Sequence, residues 1–486
     1  MYNGRNISKE TKLNFMSCKL LVVDEISMAG HQDVRNLDKF LSQVFDETRI
    51  SFGGTNLVLA GDHSQLAPVL KRALYREPKS SNNRQHTRGH QLYRSIKNTV
   101  CLARVMRSKN TDYIKLQEEV RNGDWTDQLR EDINSRFEAQ LEPVDMTDPA
   151  VIANREADYC PTVVVHNETR QALYNAHMTI ISDTLVQNGG ERPILLRAEI
   201  QSAHPIKTDD CSVLAKRKKR TISKSSRPAP LTQMEEIYLN TLPDSDFDRT
   251  PLGLFLYYGA YVLITQNLGV RYGIANGTRG KVVGWQFPQG TEFINTTYHG
   301  VHARLPVRNG QIVQVECVHV QVTNVTLKQR APHQPTGLPP NVISLPCIKL
   351  TTQTAIPLPT GISNRQNVGL RIIQVPLRQA IVLTTYSVQG GQFLRYTIAE
   401  STPKAFYVQF SRGTQGLASL SLRRFITPSF SKAARPNEDL ITELKRLQRL
   451  HDETKIRFVE KTVPGSKDSL IANDQHADPP QKRMRL

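Results

Sequence analysis

The 486 residues are too many for one compact core, and a make-up of 38% hydrophobic and 22% charged residues belongs to a globular protein, not a fibrous or disordered one. Lys and Arg total 63 against 45 Asp and Glu, a formal charge of +18 that favours an anionic partner, nucleic acid first among candidates. Six scattered cysteines form no CxxC pair, no apolar run approaches the ~20 residues of a membrane helix, and the first residues hold no hydrophobic signal core. These features argue against a structural zinc site, a disulfide scaffold and a membrane protein, and lead to the expectation of a soluble intracellular chain.

The first strong element is the apolar run Lys19 to Val23, a predicted buried strand ending in the acidic pair Asp24-Glu25. Val34, Leu37, Leu41 and Val44 recur at helical spacing, and Thr55 to Ala60 is a second buried strand ending in Gly61-Asp62. Strand, helix, strand with polar residues at both strand ends is the rhythm of a parallel α/β sheet, whose ligands sit beyond the carboxyl ends of the strands. Residues 70–98 are polar without a clear period and are expected to be a surface excursion. A helix is predicted from Ile114 to Val120, stopped by Asn122-Gly123. Thr162 to His166 is a further predicted strand, followed by an amphipathic helix around Arg170 to Met178.

From about 181 to 250 the pattern fades around the basic run Lys216 to Arg220, which predicts a flexible basic insertion and allows a nuclear address. Residues 277–372 are expected to form a small inserted β module. Arg308-Asn309-Gly310-Gln311 is its hairpin turn, and a slip of valine parity predicts a bulge near Cys317. The α/β rhythm resumes at Ala380 to Leu383 and at Ala405 to Val408. Asn437 can cap a helix carrying Leu440, Leu444, Leu447 and Ile456, and the last ~20 residues, ending in a second basic run, look disordered by composition.

Several blocks carry a family resemblance. Leu20-Leu21-Val22-Val23-Asp24-Glu25-Ile26-Ser27-Met28 resembles the Walker B motif of the Pif-type DNA helicases of superfamily one. Leu59-Ala60-Gly61-Asp62-His63-Ser64-Gln65-Leu66-Ala67-Pro68-Val69 resembles motif III, and Leu102 to Arg107 with Val120 to Asp124 resembles the motif IV region. Gly269 to Gly280 is similar to the stretch before the family's small β insertion. Thr384-Thr385-Tyr386-Ser387-Val388-Gln389-Gly390-Gly391-Gln392 resembles motif V and Tyr407 to Arg412 motif VI. The six blocks stand in the family's order from about residue 20 to 420. Within the family, the chain looks most like fungal helicase-like genes related to Helitron transposons.

The resemblance implies an α/β fold of two RecA-like P-loop NTPase lobes with a small inserted β (SH3-like) module. The first lobe would lie in 1–150 and the second in 151–276 with 373–430, leaving 431–486 as a helix and tail. It implies ATP and Mg²⁺ as cofactors, single-stranded or forked DNA as partner, 5′-to-3′ movement, a nuclear location, and roles in recombination, repair and telomere upkeep. Asp24 suits the Mg²⁺ shell, acting through water. Glu25 can take the proton of the attacking water. Gln65 can donate to the γ-phosphate and accept from water. Arg107 and Arg412 match the two arginine-finger positions, where an always-charged fork of donors offsets developing negative charge. Thr384, Thr385, Gln389 and Gly390 would lie at another strand end to hold DNA phosphates, Gln389 and Gly390 also beside the nucleotide.

Two departures stand out. Tyr386-Ser387 occupies the place of the Lys or His-Lys that the family carries before Ser-Gln-Gly, so motif V lacks its cation. The signature GxxxxGK[ST], whose backbone N–H groups would cradle phosphates, is absent from the 486 residues: the one Gly-Lys step, Gly280-Lys281, is followed by Val. Only about 18 residues precede the Asp24-Glu25 strand, so the first lobe is expected to lack its central strand, phosphate loop and leading helix, and the chain as written to be inactive. A nucleic-acid-binding relic of a transposon-derived helicase is the alternative.

Overall fold

The computed structural model describes residues 7, 9–79, 84–137, 158–203, 229–247, 250–323, 337–339, 341–352 and 355–462. In chain order the elements are α1 (Lys9–Met16), β1 (Leu20–Val23), α2 (His31–Val44), β2 (Asn56–Leu59), α3 (Arg84–Arg94), α4 (Thr111–Asn122), α5 (Asp127–Asn134), β3 (Thr162–Val164), α6 (Asn167–Gln187), β4 (Ile194–Arg197), β5 (Glu199–Ala203) and α7 (Gln233–Leu239). The strands β6 (Gly253–Leu256), β7 (Tyr261–Ile264), β8 (Arg279–Gln286), β9 (Glu292–Tyr298), β10 (Val301–Arg308), β11 (Gln311–Ile312), β12 (Cys317–Val322), β13 (Val342–Leu345), β14 (Ile348–Thr351), β15 (Ile356–Pro357), β16 (Asn367–Gln374), β17 (Leu377–Gln379) and β18 (Val382–Thr384) follow. The chain closes with α8 (Thr385–Val388), β19 (Tyr396–Ile398), α9 (Phe406–Phe410), β20 (Leu420–Leu422), α10 (Pro428–Ala433) and α11 (Glu438–Thr462). There are two compact units, Met1–Met106 with Arg435–Leu486, and Arg107–Ala434.

In the first unit β1 and β2 pair in parallel, Leu20 opposite Asn56 through Val23 opposite Leu59. Leu21, Val23, Leu57 and Leu59 pack on a core of Ile26, Val34, Leu41, Phe52, Leu74, Leu92 and Tyr93. The opposite face differs from the expected buried strands: Leu20, Val22 and Val58 are 54%, 56% and 45% exposed. Alternation sends successive side chains to opposite faces, and only one face of this two-stranded sheet is covered among the described residues. The expected excursion at 70–98 contains α3. Its apolar content is low, but Leu92 and Tyr93 are buried, and α3 approaches the start of α2 so closely that a Cβ at Gly89 would lie 1.8 Å from the His31 carbonyl oxygen. Asn437 caps α11 as expected, its Oδ1 accepting from the Leu440 amide at 2.9 Å.

The second unit contains a parallel sheet in the order β18-β3-β19-β20. Its core gathers Val163, Leu383, Tyr396, Ile398, Phe406, Phe410, Leu420 and Leu422 with Tyr113, Leu129 and Ile133 of α4 and α5. Asn110 caps α4 through a 2.8 Å bond from the Tyr113 amide, and Gly123 ends it with φ 80°. Ala405 to Val408, grouped by sequence with the strands, is the start of α9. Phe406 and Phe410, one turn apart, stack with ring centroids 5.5 Å apart, so a short apolar run buried on all sides forms a helix where period alone is ambiguous.

Three more sheets fill the stretch from β4 to β17. β7 pairs with both β8 and β17, and β4 with both β6 and β10. Strands from 194 to 379 therefore interleave, and the expected module limits of 277 and 372 cut through paired strands. The insertion expected at about 181–250 likewise contains the end of α6, then β4, β5 and α7, because Ile194, Leu195 and Leu196 pair with β6 and are buried. The basic run at Lys216 to Arg220 lies outside the described residues, as does the basic tail. The Arg308–Gln311 hairpin forms as predicted, with Asn309 and Gly310 at φ 50° and 76°. The register shift falls between His319 and Val320. At Cys317 itself a break between β11 and β12 produces the parity slip.

Candidate nucleotide and nucleic-acid sites

The acidic pair leaves the carboxyl end of β1, and motif III leaves the same end of β2. Ala60 N donates to Val23 O at 2.8 Å and Ile26 N to Ala60 O at 2.9 Å, so the two turns are stitched together. Gly61 is required there: its φ is 152°, and a Cβ would lie 2.8 Å from the Ile26 amide nitrogen. Asp24 is exposed, and its Oδ1 accepts from the Glu25 amide at 2.8 Å. Glu25 sits in the left-handed region at φ 54°, ψ 43°, a conformation that costs an L-residue about 1–2 kcal/mol. Asp62 turns the second loop by accepting from Ser64 N at 2.9 Å through Oδ1 and from Gln65 N at 3.0 Å through its carbonyl. The Gln65 side-chain oxygen is buried with no hydrogen-bond partner among the described residues, the state of an acceptor waiting for a donor.

One exposed carboxylate at a strand end fits Mg²⁺, which keeps most of its waters and binds through one or two carboxylates plus substrate phosphates. Among the described residues no three His, Cys, Asp or Glu side chains form an all-protein metal site.

Behind motif III lies a network that no local sequence signal announces. Tyr93 of α3 donates to Glu443 Oε1 of α11 at 2.5 Å, and His63 Nε2 meets the same phenolic oxygen at 2.8 Å. Arg94 Nη1, Arg446 Nε and Arg446 Nη2 donate to the Glu443 carboxylate at 2.9, 2.8 and 2.6 Å. Burial alone would raise the Glu443 pKa, but the bonds from Arg446 and Tyr93 hold it below the usual carboxylate range. Burial lowers the His63 pKa, and because the Tyr93 hydroxyl donates to Glu443, His63 Nε2 is the donor to Tyr93. His63 lies two residues before Gln65, so α11 braces the glutamine loop.

In the second unit Arg107 and Arg412 come together. Arg107 Nη1 donates to the Ser411 carbonyl at 2.8 Å. Arg412 is 1% exposed, with Nε on Val408 O and Nη2 on Ser411 Oγ, both at 2.7 Å. Of the two residues expected at arginine-finger positions, Arg107 is half-buried. Arg412 is turned inward in this structure because α9 offers it carbonyl and hydroxyl acceptors.

Motif V begins at the end of β18. Thr385 is 1% exposed, donates to Val164 O at 3.1 Å and accepts from Gln409 Nε2 at 2.8 Å. The expected phosphate contact from Thr385 is therefore corrected: its hydroxyl ties β3 to α9. Thr384 is also largely covered and shares a 3.0 Å hydroxyl contact with Ser387. Tyr386 and Gly390 (φ 74°) remain at the surface, with Ser387 and Gln389 half-buried. At the neighbouring strand end Glu400 accepts from Val165 N, His166 N and His166 Nδ1 at 2.9, 3.0 and 2.7 Å. Burial would raise the Glu400 pKa, but these donors hold it below its ordinary value.

Residues 4–135, which carry the acidic pair, motif III, α4 and α5, match the PIF1-like helicase family. Over those residues the chain is similar to PIF1-like helicases. It is 23% identical over 272 residues to the human ATP-dependent DNA helicase PIF1, covering 56% of this chain and 33% of that protein. It is 31% identical over 116 residues to the ATP-dependent DNA helicase PIF7 of Trypanosoma brucei brucei, covering 24% of this chain and 11% of that one. The chain thus spans a third or less of these curated relatives.

The chain also matches the fold of a Bacteroides Pif1 solved with ADP-AlF3 and ssDNA, at TM-score 0.55 and 16% identity over 92% of this chain and 79% of that one. Pif1 from Candida albicans matches at TM-score 0.54 and 17% identity over 91% and 79%. The mixed α/β architecture is that of Pif1 helicases, built on RecA-like lobes.

Proposed function

We propose that this Pif1-like chain serves an ATP-dependent DNA helicase that moves 5′-to-3′ along single-stranded DNA. The observation that carries the reading is the stitched strand-end pair of the first unit. It presents Asp24, Glu25 and the unsatisfied oxygen of Gln65 at one end of a parallel sheet. Bound Mg²⁺ would supply charge neutralisation at the β- and γ-phosphates, with Asp24 as its protein carboxylate through water. Glu25 accepts the proton of the attacking water, and its left-handed backbone turns the carboxylate away from the strand line. Gln65 accepts from that water or donates to phosphate, in a loop braced by His63 and Tyr93. The family resemblance assigns Arg107 the role of transition-state cation, and Arg412 is the strut that holds Ser411, and through it Arg107, in place. Nuclear location, kinship with Helitron-related helicase genes, and work in recombination, repair or telomere upkeep are carried by the family resemblance alone.

A second reading is favoured by one specific feature: motif V carries Tyr386-Ser387 in the place where the family has a cation. On that reading the chain binds nucleic acid without turnover. ATP hydrolysis stimulated by single-stranded DNA, lost in Glu25→Gln, would establish the motor. Salt-sensitive DNA binding with no hydrolysis would establish the silent binder, and absence of both activities would overturn both.

A further inference from the structure

We propose that Arg378 supplies the phosphate-binding cation that motif V itself lacks. The proposal rests on the nucleic-acid reading above and deepens it. Residues 384–392 contain no Lys, Arg or His, although a strand end that holds phosphates gains most of its affinity from cationic donors. Among the described residues, three guanidinium groups reach this segment. Arg279 donates to Gln392 O at 3.3 Å, and Arg412 to Gly391 O at 3.5 Å. Both are buried: Arg279 packs against the rings of Tyr159 and Phe393 at 5.7 and 4.9 Å, and Arg412 is enclosed by α9. They are internal struts. The third is Arg378, whose Nη2 donates to Ser387 Oγ at 2.9 Å.

The fold explains how Arg378 arrives there. β17 alternates, so Leu377 and Gln379 are buried while Arg378 points to the other face, half-covered. Only Ala380 and Ile381 separate β17 from β18, which fixes the distance to the strand end. Ser387 stands in the place the family gives to a cation. Its hydroxyl, in contact with Thr384 Oγ1 at 3.0 Å, instead holds a guanidinium delivered from a different strand. A charge that is absent from the motif in sequence is present beside it in space. Exposed Tyr386 lies next to it, so the strand end combines a phosphate donor with an aromatic face on which a base can stack.

The test uses the full chain and a fluorescently labelled oligo-dT, with binding followed by anisotropy over a salt series. Arg378→Ala should weaken binding about fivefold near 0.1 M salt and lower the slope of log K against log salt by about 0.7, the value of one single-strand phosphate contact. Arg378→Lys should keep the slope. Arg449→Ala, which removes one charge from the exposed face of α11, should leave the slope unchanged. If Arg378→Ala proves unfolded, Arg378→Gln against Arg378→Lys makes the same comparison. An unaltered slope in the folded Ala or Gln variant overturns the role of Arg378 and leaves the nucleic-acid reading standing. No salt-dependent binding by the parent chain overturns that reading and the inference with it.

Discussion

The Tyr93 hydroxyl lies 2.5 Å from Glu443 Oε1 across 350 residues of chain, and joins the last long helix to the loop of Gln65 through His63. Glu443 is buried and neutralises Arg94 and Arg446. Glu443→Ala leaves those charges and the phenol without their acceptor, and should destabilise the first unit by about 3–5 kcal/mol. Glu443→Gln, which keeps one acceptor oxygen, should cost less. Urea unfolding of the full chain, followed by amide exchange at β1 and α2, measures both.

Tyr93→Phe should act more locally. It removes the shared phenolic oxygen, leaves His63 without its acceptor, and releases the turn that carries Gln65. Amide exchange at Ser64 and Gln65 should accelerate by one to two orders of magnitude, consistent with the loss of about 1–3 kcal/mol of local stability. Equal exchange in the variant and the parent would show that the brace does not hold the loop.

The first unit should weaken on mild acidification. Burial lowers the pKa of His31, His63 and His90. These rings take up protons at lower pH in the fold than in the unfolded chain, where histidine titrates near pH 6.5, so the unfolded state binds more protons just below that value. Stability is unaffected by these groups above about pH 7 and falls as pH drops below about 6.5, until the folded rings protonate too. Glu443, held low by its donors, adds a second loss below about pH 4.5. Thermal melts from pH 8 to 4 should show the histidine step first, and His63→Gln should shrink it.

Glu25→Gly should raise stability while abolishing any hydrolysis. Relief of the left-handed backbone returns about 1–2 kcal/mol, reduced by roughly half through the greater freedom of glycine in the unfolded chain. A rise of a few degrees in melting temperature is expected, the signature of a residue kept for chemistry at the expense of stability. A fall would show that the Glu25 side chain holds the turn.

Thr385→Ala should lose stability, not a phosphate contact. The variant removes one of the two acceptors of Gln409 Nε2, which keeps its bond to Glu400 O, and removes a bond to Val164 O, at a cost of about 1–3 kcal/mol. Its salt slope for oligo-dT should match the parent, and Thr385→Ser should recover most of the stability.

Local patterns were legible wherever a short stretch carries its own reason to fold. The β1–α2–β2 order, the cap at Asn437, the stop at Gly123 and the Asn309-Gly310 hairpin all rest on residues within a turn or two of one another. The acidic pair and the glutamine were legible for the same reason, since strand ends and motif order are properties of contiguous sequence. The helix at Phe406 to Phe410 was not, because a short run buried on every side has no period to read. Nor was α3, whose few apolar residues acquire meaning only against α2.

Tertiary structure alone decided which polar groups face outward and which become struts. Thr385, Arg412 and Arg378 are each a single polar residue in sequence, and nothing local distinguishes a hydroxyl that ties β3 to α9 from one that meets solvent. That difference depends on hydrogen-bond partners contributed by other segments: the acceptors Val164 for Thr385 and Ser387 for Arg378, and the donors Tyr93 and Arg94 for Glu443. Hydrogen bonding and desolvation depend on distance in space, so sequence determined the repertoire of chemical groups, and packing determined which of them remain available to a ligand.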